Sequence, residues 1–328
     1  MKKIFLTRRI YPEAMELLEK NAEIEVWSAN TPITEAQLIE KAAQVEGLIS
    51  MLSNPITEKV LQSGAAHSLT VVSQMAVGYD NIAVEQATKL GIAVGNTPGV
   101  LTETTADLAW ALLMAAARRV VEGHTEVHRG IWRSWGPDVL CGTDVYGATL
   151  GIIGFGRIGQ AVAARAAGFH MKVLYTQRHR DLAAEERTQA QYMTLDELLR
   201  QADFVTLHAY LSAETRGMIG KEQLAHMKPG AILINTARGA MIDQAALYEA
   251  LSAGHLAAAA LDVTDPEPIP QNSPLLELPQ VIITPHIGSA STQTRRRMSV
   301  MTAENVLAGV AREKLPYCVN PEVYAQRK

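Results

Sequence analysis

The chain is 328 residues long, 48% hydrophobic and 20% charged, with a formal net charge of −4. Its apolar content excludes a disordered chain, its charge balance gives no basic field for collecting nucleic-acid phosphates, and two cysteines, Cys141 and Cys318, are too few for a disulfide scaffold. The length suggests about two domains of roughly 100–200 residues each. The basic N-terminus surrounds only Ile4, Phe5 and Leu6, short of a secretory core, and the longest apolar run, 108–117, is about half the roughly 20 residues of a membrane span. A cytoplasmic protein without nucleic-acid or membrane partners is expected, and no metal site.

β-rich runs alternate with helical patterns from the first residues. Strands are expected over 4–7, 24–27, 47–51, 70–74 and 92–94, with helices such as 11–20 and 34–43 between them. The second of these helices opens on Thr34 with Gln37 three residues on, the spacing of a capping box. A helix over 102–120 follows, and its wide apolar face (Ala106, Leu108, Ala109, Leu112, Leu113, Ala116) predicts core packing. Segment 130–146, with Trp132, Trp135 and Pro137, is irregular and reads as a loop or as an arm that packs on another subunit. A second series places strands at 149–153, 172–175, 204–207, 231–235, 258–263 and 281–284, then a final helix over 292–311. Such βα alternation predicts an α/β fold of two doubly wound parallel-sheet, Rossmann-like domains.

The start of the second series carries G-x-G-x-x-G at Gly154, Gly156 and Gly159, after an apolar strand and opening a helix. Gly154 permits the tight turn, Gly156 lets the backbone approach a pyrophosphate, and Gly159 allows close helix–strand packing. The helix start at Arg157 and Ile158 offers N–H groups and a favourable dipole to phosphates. After the next strand come Thr176, Gln177, Arg178, His179 and Arg180, with no acid before Asp181. An NAD site normally has Asp or Glu there for the ribose 2′-OH. The missing acid and the basic loop (Gln177, Arg178, His179) point to a 2′-phosphate held chiefly by Arg178, hence NADPH, with NADH weaker.

Three polar residues follow later strands: Arg238, Glu267 and His286. Ligands of open α/β sheets bind beyond such carboxyl ends. Arginine can grip a carboxylate through two N–H bonds, histidine can deliver a proton near neutral pH, and an adjacent carboxylate favours the charged ring and fixes it. Together they meet the needs of carbonyl reduction. The other histidines, His208 among them, are expected to be structural or surface groups.

With these residues in view, the chain resembles the D-isomer-specific 2-hydroxyacid dehydrogenases over essentially its whole length, and most of all their glyoxylate/hydroxypyruvate reductase branch. The resemblance is carried by Ala76-Val77-Gly78-Tyr79-Asp80-Asn81, Asn96-Thr97-Pro98-Gly99-Val100-Leu101-Thr102, the glycine turn, and the segments 235–239, 261–268 and 285–291. It implies a homodimer acting on a small 2-oxo acid, with an inter-domain active-site cleft. The substrate-binding domain would be discontinuous, 1–98 with 290–328, and 99–289 would form the NADP-binding Rossmann domain. It also implies that His286 is the proton donor, Glu267 its partner and Arg238 the substrate anchor. Val77 and Gly78 would hold the carboxylate by their N–H groups, with Ser289 near the substrate. Asp262 would orient the nicotinamide carboxamide, and Thr236, Ala237, His286 and Gly288 would also contact the cofactor. This chain departs from the family at Tyr210, where proline is usual, and at Val139, where vertebrate reductases have a tryptophan thought to reach the partner's site. The alternatives are another D-2-hydroxyacid dehydrogenase, such as the phosphoglycerate type, or a dinucleotide-sensing corepressor on the same scaffold.

Overall fold

A computed structural model describes residues 1–29 and 31–326. The chain forms two compact units, Met1–Leu101 with Ser289–Lys328, and Thr102–Gly288.

In the first unit, β1 (Lys3–Leu6), β2 (Glu23–Val26), β3 (Gly47–Ser50), β4 (Val71–Gln74) and β5 (Ala93–Gly95) pair in parallel in the order β2-β1-β3-β4-β5. All residues of β3, β4 and β5 are buried, because helices cover both faces; β2, at the edge, has none buried. The long helix Thr292–Val310 returns to this sheet, where a Cβ on Gly309 would lie 2.3 Å from the Val71 side chain. The capping box forms as the sequence predicts. Thr34 Oγ1 accepts from the Gln37 N–H, and Gln37 Oε1 accepts from the Thr34 N–H.

In the second unit, β6 (Thr149–Ile153), β7 (Lys172–Thr176), β8 (Gln191–Tyr192), β9 (Phe204–Leu207), β10 (Ile232–Asn235), β11 (Ala258–Leu261) and β12 (Val281–Ile283) form a seven-stranded parallel sheet. Its order, β12-β11-β10-β9-β6-β7-β8, reverses direction between β6 and β9, the switch point at which ligands of such sheets bind. One face packs on the helices Thr102–Ala117 and Arg157–Ala166 through Ala106, Ala109, Leu113, Val162 and Ala163. The other face is built on Leu198, Leu224, Met227, Leu247 and Leu251.

The helix expected over 102–120 ends at Ala117. Arg119 adopts φ 51°, its guanidinium engages Glu122 at 2.6 Å, and a separate helix, Val120–His128, begins. The Thr143 N–H takes the Ala117 carbonyl at 2.8 Å, so residues from the irregular segment close the helix end. No glycine or proline marks this break in the sequence. The helix Val120–His128 has no buried residue, and eight of the twelve exposed large hydrophobic side chains among the described residues lie within 120–146, Trp135 being 81% exposed. Among the described residues, no helix is long and apolar enough to cross a membrane.

Candidate active site

The glycine turn joins β6 to the helix Arg157–Ala166, and its three glycines meet three different constraints. Gly154 takes φ 92°, and a Cβ there would lie 2.4 Å from the Ala209 nitrogen. A Cβ on Gly159 would lie 2.3 Å from the Gly154 carbonyl oxygen, so only glycine lets the helix approach its own turn. Around Gly156, which caps the helix, a Cβ would meet nothing within 4 Å. The backbone is therefore crowded on the protein side at Gly154 and Gly159 and open at Gly156. That cradle fits a pyrophosphate approaching the N–H groups of Arg157 and Ile158.

The loop after β7 is organised chiefly by the strand end and the helix that flank it. Tyr175 is fully buried, stacks on Phe155 at 4.1 Å, and its hydroxyl donates to Glu185 Oε1 at 2.6 Å. Burial and this bond push the phenol up to about 12. Arg180 donates to the same carboxylate through Nε and Nη2, both at 2.7 Å. The Arg180 and Tyr175 bonds hold Glu185 down at about 2. Asp181, the first acid after the strand, caps the helix Leu182–Thr188 by accepting from the Ala184 N–H at 3.0 Å. Among the described residues Arg178 meets a loose partner, Glu214 at 3.6 Å, with the two side chains 74% and 72% exposed. Gln177 donates to the His179 carbonyl at 2.6 Å.

The turns after β10, β11 and β12 interlock. Asn235, fully buried at the end of β10, accepts from the Ala237 N–H at 2.9 Å and donates to the Arg238 carbonyl at 2.8 Å, which brackets Thr236, Ala237 and Arg238. Arg238 is half-buried, and its Nη1 donates to the Ala237 carbonyl. A Cβ on Gly239 would lie 2.1 Å from the Thr264 carbonyl carbon, so the turn carrying Arg238 packs directly on the turn leading to Glu267. His286 Nδ1 lies 2.6 Å from Glu267 Oε1, and Nε2 has no partner among the described residues. His286 itself adopts φ 55°, its N–H directed at the Asp262 and Thr284 carbonyls, both at 3.0 Å.

Asp262, 1% exposed, is the clamp of this region. Its carboxylate accepts from the Thr284 hydroxyl at 2.5 Å, the Ile287 N–H at 2.8 Å and the Gly288 N–H at 2.7 Å. Asp262 therefore fixes the turn on which His286 stands, a contact the sequence reading did not foresee. Asn235 and Gly239 also escaped it, although an Asn at a strand end and a Gly directly after the arginine were the available signals. His208, at the end of β9, faces the Thr206 hydroxyl at 2.9 Å and the Thr236 hydroxyl at 3.5 Å, and burial pushes its pKa down to about 3. Tyr210, two residues on, is 52% exposed, and its carbonyl accepts from the Thr215 hydroxyl.

In the first unit, Val77 and Gly78 lie in the half-buried loop after β4. Ser289 Oγ accepts from Arg295 Nε at 3.0 Å at the foot of the long helix.

Comparison with known proteins gives consistent likenesses. Residues 110–288 match the family model for the NAD binding domain of D-isomer specific 2-hydroxyacid dehydrogenase. The chain is 49% identical to a glyoxylate reductase of Korarchaeum cryptofilum, over 99% of this chain and 98% of that protein. The crystal structure of a Thermus thermophilus protein superposes with a TM-score of 0.90 at 44% identity, covering 97% of this chain and 99% of that one. An NADPH-dependent glyoxylate/hydroxypyruvate reductase of Sinorhizobium meliloti, in complex with NADP and malonate, is similar with a TM-score of 0.83 at 29% identity, covering 98% and 97%.

Proposed function

This chain belongs to the D-isomer specific 2-hydroxyacid dehydrogenases, and within that family we propose that it is an NADPH-preferring reductase of small 2-oxo acids, taking glyoxylate to glycolate and hydroxypyruvate to D-glycerate. The observation that carries this reading is the 2.6 Å His286–Glu267 contact beside the Arg238 turn, at the carboxyl ends of neighbouring strands. With Nδ1 held by the carboxylate, Nε2 of His286 delivers the proton to the carbonyl oxygen as the alcohol forms. Arg238 grips the substrate carboxylate, together with the N–H groups of Val77 and Gly78, and Ser289 contributes near the substrate. Asp262 keeps the His286 turn in place and, by family resemblance, faces the nicotinamide carboxamide. These residues supply positioning and charge stabilisation.

The dinucleotide, when bound, supplies the hydride. The glycine cradle would hold its pyrophosphate through Gly154, Gly156, Arg157, Ile158 and Gly159, and Thr236, Ala237 and Gly288 would line its nicotinamide end. Preference for NADPH is supported by the commitment of Asp181 to a helix cap and the exposure of Arg178 at the turn after β7. The S. meliloti relative, described as NADPH-dependent, is in line with this. We further propose a cytoplasmic homodimer whose subunits meet through 120–146, where the exposed Val127, Trp132 and Trp135 would gain burial.

The test is a screen of short 2-oxo acids with NADPH and NADH on the purified protein. Glyoxylate with NADPH should turn over at a kcat above about 1 s⁻¹, within the common enzymatic range. A protein that binds NADPH tightly but reduces no 2-oxo acid would be a dinucleotide sensor, and the reductase reading would be lost.

A further inference from the structure

We propose that Asn96 is a positioning residue for the substrate carboxylate: by holding the carbonyl of Val77 inward, it aims the Gly78 N–H of the loop after β4 outward, while Gln74 holds the next carbonyl of the same turn. This rests on the reading, given above, that Val77 and Gly78 bind the carboxylate.

Three successive carbonyls of this loop are engaged within the first unit. The Ala76 carbonyl accepts from the Thr97 N–H at 2.9 Å, the Val77 carbonyl from Asn96 Nδ2 at 2.9 Å, and the Gly78 carbonyl from Gln74 Nε2 at 3.2 Å. In a trans peptide the N–H points opposite to the C=O. Fixing the Ala76 and Val77 carbonyls thus turns the Val77 and Gly78 N–H groups away from Thr97 and Asn96. Fixing the Gly78 carbonyl sets the next peptide plane. Neither the Val77 nor the Gly78 N–H has a partner among the described residues. Successive outward N–H groups make an anion-binding concavity.

The supporting amides are themselves held. Gln74 is fully buried, and its Oε1 accepts from the Ser50 hydroxyl at 2.7 Å while Nε2 also donates to Asn81 Oδ1. Asn81 in turn donates to the Asn54 carbonyl at 2.8 Å, and the Thr7 hydroxyl donates to Asn54 Oδ1 at 2.6 Å. Asn96, 9% exposed, has its backbone tied to the C-terminal segment through Asn305 Nδ2 at 3.0 Å and the Tyr317 carbonyl at 3.2 Å. Burying amides is costly unless they are bonded. Here two buried amides spend their donors on the carbonyls of a single turn.

Asn96→Ala removes the donor to Val77 and nothing else that its side chain is seen to bond; Asn96→Asp keeps the shape and presents an acceptor instead. Each should raise the KM for glyoxylate about tenfold, the worth of one weakened charge-assisted bond. The Ki of oxalate, which carries carboxylates but no reducible carbonyl, should rise in parallel. The kcat should stay within about threefold, because the loss is of binding common to ground and transition states. NADPH affinity, read by its fluorescence, should not move. Unchanged KM and Ki in a folded Asn96 variant would overturn the assignment. So would a lowered melting temperature with kcat reduced and KM unchanged, the mark of a merely structural role. A wild type inert toward glyoxylate would sink the functional reading and this inference with it, whereas an active wild type with an unaffected variant would sink the inference alone.

Discussion

Two regions of the second unit, both at carboxyl ends of strands, handle charge in opposite ways. At β10–β12 the groups that matter are fixed by one another's turns: Asn235 brackets the Arg238 turn, Asp262 takes three donors from the His286 turn, and Glu267 meets His286 at 2.6 Å. After β7 the charges are set mostly by the adjoining helix. Glu185 absorbs Arg180, and Glu214 reaches Arg178 from the loop after β9. The first region is a built device whose members are close to useless apart. The second is an adjustable rim, and its apparent basicity in the sequence shrinks once the acids that fold onto it are counted.

The largest effect should come from breaking the built device. His286→Ala should lower kcat by roughly 10²–10⁴, the usual worth of a general acid, with NADPH binding retained. Steady-state kinetics beside a cofactor titration checks both halves, and near-normal turnover would remove His286 from its role. Gly239→Ala tests the interlock without touching a charge. Its Cβ would fall 2.1 Å from the Thr264 backbone, so the Arg238 and Glu267 turns must part. Such overpacking costs about 1–3 kcal/mol. The melting temperature should drop and kcat/KM should fall with it. Unaltered kinetics would mean that the two turns tolerate separation.

On the rim, effects should be smaller and confined to cofactor choice. One arginine on a phosphate is worth about 1.5–3 kcal/mol, or roughly a ten- to hundredfold preference. The competing Glu214 argues for the lower end. Arg178→Ala should therefore remove about a tenfold NADPH preference in kcat/KM, mainly through the KM for NADPH. Arg180→Ala should change the ratio by less than about threefold, since its Nε and Nη2 already bind Glu185. Equal effects of the two substitutions would erase the distinction between a loosely paired and a sequestered arginine. A wild type that prefers NADH would make the whole loop a solvated surface.

The contrast also explains what could be read in the sequence. The α/β class, the twofold βα series and the strand positions were legible because buried parallel strands are continuous apolar runs, and the glycine turn because its spacing states a steric requirement. Arg238, Glu267 and His286 were legible as candidates because each stands in the turn that follows a strand, three to six residues past its end. The break at Ala117 was not, because it depends on Arg119 entering the left-handed region and on Thr143 closing the helix end from 26 residues away. Nor was the Glu185 clasp, which exists only when Tyr175 and the helix Leu182–Thr188 come together.

Acid separates the two regions by stability rather than by activity. His208, lodged between Thr206 and Thr236 at the strand ends, is held neutral down to about pH 3, whereas in the unfolded chain it would take up a proton below about 6.5. The unfolded state therefore binds more protons, and stability is lost as the pH falls from about 6.5 toward 3, by at most about 1.4 kcal/mol per pH unit. Glu185 stays ionised down to about 2, against 4.5 for an ordinary glutamate, so its contribution is complete above 4.5 and is lost only as the pH falls from there through about 2. The strand-end region should thus weaken in mild acid and the rim only in strong acid. Melting temperature against pH, compared between the wild type, His208→Asn and Glu185→Gln, reads the two windows separately. His208→Asn should flatten the curve between pH 6.5 and 5, and Glu185→Gln should flatten it only below 4.5. If His208→Asn leaves the upper window unchanged, another group titrates there, and His208 does not belong to the rigid strand-end device.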